Sequence, residues 1–443
     1  MKPQITCILL LIITLVTSSP AQSPAPKKRK KLKDFGSSLD RLKWDPKKNE
    51  TVQLPAPGDG ANSEDDVIRI NTTLVSCELL VMDERGNNVA GLTANDFSVS
   101  EDDTPQTVGH FFTGDNVNVP RTIVLIFDYS GSQLPYLDNS VKAAKVLVDK
   151  LGPRDLMAIV TDDVEMFQDF TSDRKKLKGK LDELLHRTSP HARYFNEFGQ
   201  QRFGRSKQYS ALMATLNEAF DDEDVRPIII FQTDGDEAYF LRNPVIRQAV
   251  PDGLTGEALR AAQVYVAGFQ EQLVANRAEF SLDDLYRAVE RSRATVYTVV
   301  PGIKLLGLPV ESQVVKVVAH NRAMREERKA KARFSVLKEQ LTKEEDLNEK
   351  INSVWEAQTT EKLQSALSGV AGLTGGWTEF LEAPEQADEI YSRIFSDINQ
   401  RYIVGYYPTN KERDGKRRKI NFQVKGHPEY QVLGRRSYFA PAP

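Results

Sequence analysis

The chain has 443 residues, with 59 Lys and Arg against 62 Asp and Glu and a formal net charge of −3. That balance excludes a protein built as a nucleic-acid binder, which carries a marked excess of basic side chains. The length allows two domains, or one large domain with an insertion. Only two cysteines occur, too few for a disulfide-stapled fold.

Residues 1–21 predict a signal peptide. Lys2 supplies the positive start, and Ile8–Val16 is an apolar core too short to span a bilayer. Ser19-Pro20-Ala21 is a small-residue cleavage site. No later stretch is apolar and long enough to span a membrane. The mature chain is therefore expected to be exported, whether periplasmic, attached to the envelope or secreted. Cleavage leaves Cys77 as its one cysteine, in an alternating strand pattern that reads as a small buried hydrophobe.

Residues 22–66 are rich in Pro, Lys, Asp and Gly and read as a disordered linker. The basic run Lys27–Lys33 fits an anionic envelope surface as well as it fits a solvated tail.

Residues 67–117 read as strands. Val75, Cys77, Leu79 and Val81 follow a period of two, and Glu84–Asn88 is a turn. Thr93–Asp96 predicts one helical turn before a strand around Phe97 and Val99. Residues 401–443 have the same character. Tyr402–Tyr407 is a strand, Asp414-Gly415 a hairpin turn, and Ile420, Phe422 and Val424 alternate with polar residues. A further strand covers Tyr430–Leu433. Neither end is large enough alone for a two-layer core. The expectation is one small β-sandwich built from both, with residues 118–400 inserted between them.

In that insert, strands are expected at 121–128, 156–161, 226–233 and 294–300. They alternate with helices at Leu134–Leu151, Arg174–His186, Ala211–Phe220 and Glu385–Gln400. Continuous apolar strands between helices predict a doubly wound α/β fold with a mostly parallel sheet. Residues 303–358 break the pattern and read as a helical hairpin. Its first helix covers Met324–Gln340, and its second opens on the capping box Thr342/Glu345 before Leu347, Ile351, Val354 and Trp355. Its apolar stripe either packs on its own domain or forms a partner-binding arm.

The chemistry sits at strand ends. Asp128, Ser130 and Ser132 follow the apolar run Ile123–Phe127. Open α/β sheets bind ligands beyond that carboxyl edge. One carboxylate and two hydroxyls make an all-oxygen donor set suited to Mg²⁺, Mn²⁺ or Ca²⁺, and unsuited to zinc or copper. Taken alone the pattern is also a common turn. A second apolar strand, Pro227–Gln232, ends in Thr233-Asp234-Gly235, and Ser210 precedes a helix between the two.

This order, D-x-S-x-S, then a hydroxyl before a helix, then strand-T-D-G, resembles the von Willebrand factor A domain, a Rossmann-like fold. The resemblance implies a metal-ion-dependent adhesion site. Asp128, Ser130 and Ser132 would form its first loop, Ser210 its second, where the family usually has Thr, and Asp234 its third. It also implies a bound Mg²⁺ (or Mn²⁺ or Ca²⁺) that captures an Asp or Glu carboxylate of a protein partner. Gly91–Phe97, Phe170–Arg174, Leu373–Gly376, Tyr402–Pro408 and Gly434–Phe439 are similar to segments of exported, acidobacterial von Willebrand factor A-related proteins. Two rival classes stay open: a structural envelope protein with a degenerate site, and a metal-dependent hydrolase. For the latter, the His residues at 110, 186, 191, 320 and 427 are scattered, and no G-x-S-x-G or H-E-x-x-H motif occurs. Asp236 and Glu237 read as a solvated loop.

Overall fold

The computed structural model describes residues 32, 34–54, 74–116, 119–187, 206–221, 226–244, 250, 255–331 and 348–441. The signal segment, nearly all of the basic run, and the Thr342/Glu345 capping box with Leu347 lie outside the described residues.

In chain order the strands are β1 (Leu42–Asp45), β2 (Glu50–Gln53), β3 (Val75–Met82), β4 (Phe97–Glu101), β5 (Thr104–Gln106), β6 (Val108–Thr113), β7 (Arg121–Phe127) and β8 (Leu156–Thr161). They continue as β9 (Glu165–Thr171), β10 (Arg226–Gln232), β11 (Thr295–Pro301), β12 (Thr378–Leu381), β13 (Tyr402–Tyr406), β14 (Arg417–Val424), β15 (Gln431–Leu433) and β16 (Ser437–Phe439).

The largest sheet has the order β12-β11-β10-β7-β8-β9. β7 lies between β10 and β8 and is parallel to both. β9 alone runs antiparallel to its neighbour. Every residue of β7, β10 and β11 is buried, as a sheet covered on both faces requires. On one face Ile123, Leu125 and Phe127 meet Val141 and Val148 of the helix Leu134–Asp149, and Ile390 and Ile394 of the helix Ala387–Gln400. On the other, Val124 and Ile126 meet Leu212 of the helix Gln208–Glu218, Leu285 of Leu282–Arg291 and Leu367 of Asn348–Leu373. The architecture is mixed α/β.

Two four-stranded sheets accompany it, ordered β15-β3-β13-β6 and β16-β14-β4-β5. Both join strands from the two ends of the chain. Val404 lies opposite Cys77, and Phe422 opposite Val99. Cys77, Leu79, Phe97, Val404, Tyr406 and Phe422 share one apolar cluster. Burial there pushes the Cys77 thiol up to about 12, so the side chain acts as a packed hydrophobe and not as a nucleophile.

Residues 34–54 depart from the linker expectation. They form a short helix, Ser37–Asp40, and the antiparallel pair β1–β2. Leu42 is buried in the core on the Gln208–Glu218 side, and Leu32, Phe35 and Leu39 pack against it. Glu218 accepts the backbone N–H groups of Gly36 and Ser38 at 2.9 and 2.7 Å. Trp44 donates its N–H to Glu279 at 2.9 Å. Average composition concealed these spaced apolar anchors.

The insertion also differs in its bounds. Its first helix runs Val310–Lys331, starting well before Met324, and packs against Asn348–Leu373. Leu305, Val317 and Ala357 make a small cluster of their own at its base. Besides Ser37–Asp40, two further helices among the described residues were not expected, Gly256–Asn276 and Leu282–Arg291. The last opens on a capping box of Ser281 and Asp284, a signal present in the sequence.

Candidate metal centre

Asp128 stands one residue past β7 and is buried. Its Oδ1 accepts the N–H of Ser130 at 3.0 Å. Its Oδ2 accepts the hydroxyl of Thr233 at 2.9 Å and the amide of Gln208 at 3.1 Å. The hydroxyls of Ser130 and Ser132 lie 3.1 Å apart. Ser130 is buried and Ser132 exposed, so the first loop rises from the sheet edge toward solvent.

The third loop follows β10. Asp234 Oδ2 accepts the amide N–H of Gln133 at 3.0 Å, and the same nitrogen lies 3.4 Å from Ser132 Oγ. Gln133 thereby ties the first loop to the third, and its Oε1 is buried without a hydrogen-bond partner. Gly235 takes φ 76°, and a Cβ there would meet Tyr209 Oη at 2.9 Å and Leu367 at 3.1 Å. The turn that presents Asp234 therefore needs glycine.

The second loop departs from expectation. Ser210 donates its hydroxyl to Glu237 Oε1 at 2.5 Å and its N–H to Oε2 at 2.8 Å. The helix begins at Gln208 rather than Ala211, so Ser210 falls in its first turn and is claimed by Glu237. Ser206 and Gln208 reach the carboxylates instead. Ser206 donates to Asp162 Oδ2 at 2.6 Å, and Gln208 donates to Asp128 and to Asp236 Oδ1, the latter at 2.6 Å.

Asp162 was not singled out from sequence. It follows β8, is buried, and accepts the N–H of Tyr129 at 3.3 Å. Its signal was the pair Asp162-Asp163 closing a strand beside β7. Asp236 and Glu237 are not a solvated loop either, since Glu237 is buried and Asp236 partly so.

Three adjacent strands thus end in carboxylates. Burial, then the charge of Asp234, pushes Asp128 up to about 6. Burial and Asp128 hold Asp162 well above the usual carboxylate range. Burial, Asp234 and Asp128 do the same to Asp236. Burial also pushes Glu237 up to about 7 against its bonds from Ser210. Among the described residues no group of three or more His, Cys, Asp or Glu converges as a ready metal cluster. His110 pairs with Tyr407, and His427 with Glu429, away from these loops.

No protein-family model matches the chain, and no curated protein does. Among the solved structures similar to this chain are proteins of von Willebrand factor A type. One is the conserved hypothetical protein BatB from Bacteroides thetaiotaomicron, at 14% identity and TM-score 0.30, covering 63% of this chain and 98% of that one. Another is the vWF domain of the type V pili tip protein Mfa5 from Porphyromonas gingivalis, at 14% identity and TM-score 0.30, covering 63% and 95%. A third is manganese-loaded TRAP protein from Plasmodium vivax, at 15% identity and TM-score 0.23, covering 46% and 61%.

Proposed function

We propose that this chain is an exported adhesion-type binding module. It captures an Asp or Glu carboxylate of a protein partner at a divalent cation, Mg²⁺ (or Mn²⁺ or Ca²⁺), held by Asp128, Ser130, Ser132 and Asp234. The observation that supports this reading is the run of hydrogen bonds from Ser130 through Ser132 and Gln133 to Asp234, which ties the first loop to the third beyond the carboxyl ends of β7 and β10. The donor set is all oxygen, as hard cations prefer. Carboxylates whose charged forms are disfavoured by burial and by one another gain from a cation.

The residues divide the work. Asp128 supplies charge at the floor of the site, oriented by the Ser130 N–H and the Thr233 hydroxyl. Ser130 and Ser132 offer hydroxyl oxygens nearer solvent, and Gln133 orients Asp234. Ser210 supports the third loop through Glu237. When bound, the cation supplies an electrophilic centre with a coordination position for a partner's oxygen.

In the same reading the two terminal four-stranded sheets are a β-sandwich made of residues 67–117 and 401–443. It carries the A-type domain of residues 118–400, with 303–358 as its insertion. Residues 1–21 direct export, and Lys27–Lys33 suit an anionic envelope surface. Among the described residues no helix is long and apolar enough to cross a membrane.

The test is thermal unfolding of the mature chain against Mg²⁺, Mn²⁺ and Ca²⁺, beside Asp128→Ala. A cation at 100 times its dissociation constant adds about 2.7 kcal/mol to the native state. A metal-dependent rise in wild type that Asp128→Ala abolishes is the expected result. No rise in wild type sinks the reading and favours a degenerate site in a structural envelope protein.

A further inference from the structure

Gln208 is fully buried at the start of its helix. Its Nε2 donates to Asp128 Oδ2 at 3.1 Å and to Asp236 Oδ1 at 2.6 Å. The amide cannot be turned over, because the Glu237 N–H donates to Gln208 Oε1 at 3.0 Å and an amide nitrogen does not accept that bond. Both hydrogens of one amide are therefore placed between carboxylates from two different loops. A hydrogen-bond donor and a cation seek the same oxygen lone pairs. A hydroxyl in this place could turn its oxygen toward a cation. Gln208 presents hydrogens, and its one oxygen is already held by Glu237.

We propose that Gln208 sets the cation affinity of this site by competing with the divalent cation for the Asp128 oxygen, its amide being held in place from the other side by Asp236. The inference rests on the metal-dependent reading above and deepens it. Gln208 then keeps cation binding weaker than the carboxylates alone would make it. Gln208 acts here as a positioning residue, through the two carboxylates it holds.

The experiment is a Mn²⁺ titration of the chelator-stripped mature chain, read by thermal unfolding. The proteins compared are wild type, Gln208→Ala, Gln208→Met and Asp128→Ala. Met keeps the side-chain volume without the donors, so it reports even if Gln208→Ala fails to fold. The expected result is a Mn²⁺ midpoint lowered about tenfold in the Gln208 variants, the size of one hydrogen bond to a charged group, with Asp128→Ala silent. If wild type responds through Asp128 and the Gln208 variants respond at the same or higher Mn²⁺, the role of Gln208 is overturned while the metal reading stands. If neither wild type nor any Gln208 variant responds, the metal reading itself falls and takes this proposal with it.

Discussion

Arg226, the first residue of β10, and Glu78, in β3, form a buried ion pair with Nε and Oε1 2.6 Å apart. The same guanidinium donates to the carbonyls of Gly114 and Ile398, each at 2.7 Å. Arg401 donates to Asp397 at 2.9 Å, and Tyr297 donates its hydroxyl to the same carboxylate at 2.6 Å. Arg435 reaches the carbonyls of Glu290 and Ala294 at 2.8 and 3.1 Å. These contacts fasten the terminal sheets to the amino edge of the six-stranded sheet, the end opposite Asp128. The helix Ala387–Gln400 hands over to β13 within this cluster. Any slide of that helix must break the Arg226 bond to Ile398 and reset Arg401 against Glu78.

Arg226→Met should leave Glu78 buried without its cation. Breaking a buried pair on one side costs about 3–5 kcal/mol. Urea unfolding measures it, and a loss below about 1 kcal/mol would mean that the terminal sheets are held by their apolar contacts alone.

Asp128 contributes one part of the pH dependence of the metal-free protein, beside Asp162, Asp236 and Glu237. Its folded pKa, about 6, lies above the ordinary 3.8. The native state therefore binds this proton more tightly than the unfolded chain does. The contribution is complete below pH 3.8 and is lost as pH rises through 6. A shift of this size is worth on the order of 3 kcal/mol. Wild type should lose melting temperature between pH 4 and about 7 relative to Asp128→Asn, and Mn²⁺ should restore it increasingly over the same window. Parallel profiles for the two proteins would contradict this.

Ser210→Ala separates the two roles considered for that hydroxyl. Since Ser210 donates to Glu237, its removal should lower stability by about 1–3 kcal/mol through the under-satisfied carboxylate. The Mn²⁺ midpoint should stay unchanged. A lost Mn²⁺ response in a folded variant would return Ser210 to the ligand set.

Gly235→Ala should cost about 1–2 kcal/mol for the left-handed backbone alone, and more from the contact with Tyr209 Oη. It should also abolish the Mn²⁺ response by displacing Asp234. A melting curve and a Mn²⁺ titration on the same sample check both.

Leu42→Ala tests the docking of the segment 34–54. Leu42 is 6% exposed, so truncation should cost about 2–5 kcal/mol. A solvated linker would show no change in the urea midpoint.

Legibility in the sequence followed burial. β7, β10 and β11 are buried along their whole length, so each shows as a mostly apolar run, and β7 and β10 have a carboxylate or hydroxyl just beyond. The alternation in β14, exposed and buried by turns, was equally plain. In the second loop the start of the helix was misplaced, at Ala211 where it begins at Gln208. Gln208 differs from Ser210 by about half a turn and Ser206 by about one turn, and no cap marks the start, since Lys207 makes no side-chain capping bond. Asp162 was missed for a related reason: β8 was placed correctly, but only strand order shows that its end adjoins Asp128.

The helix Asn348–Leu373 bears on what can reach Asp234. Leu367 stands beside Gly235 in the third loop, and the helix then descends to Thr374, whose hydroxyl meets the N–H of Val296 near the start of β11. Everything from Leu367 back to Asn348 therefore rises past the carboxyl edge of the sheet, by roughly 28 Å at about 1.5 Å per residue. Asp234 lies at the foot of that wall. On this side a broad, flat protein face would strike the helix before its carboxylates came within bonding distance. A narrow projection, such as a loop tip or a chain end bearing one acidic side chain, would pass.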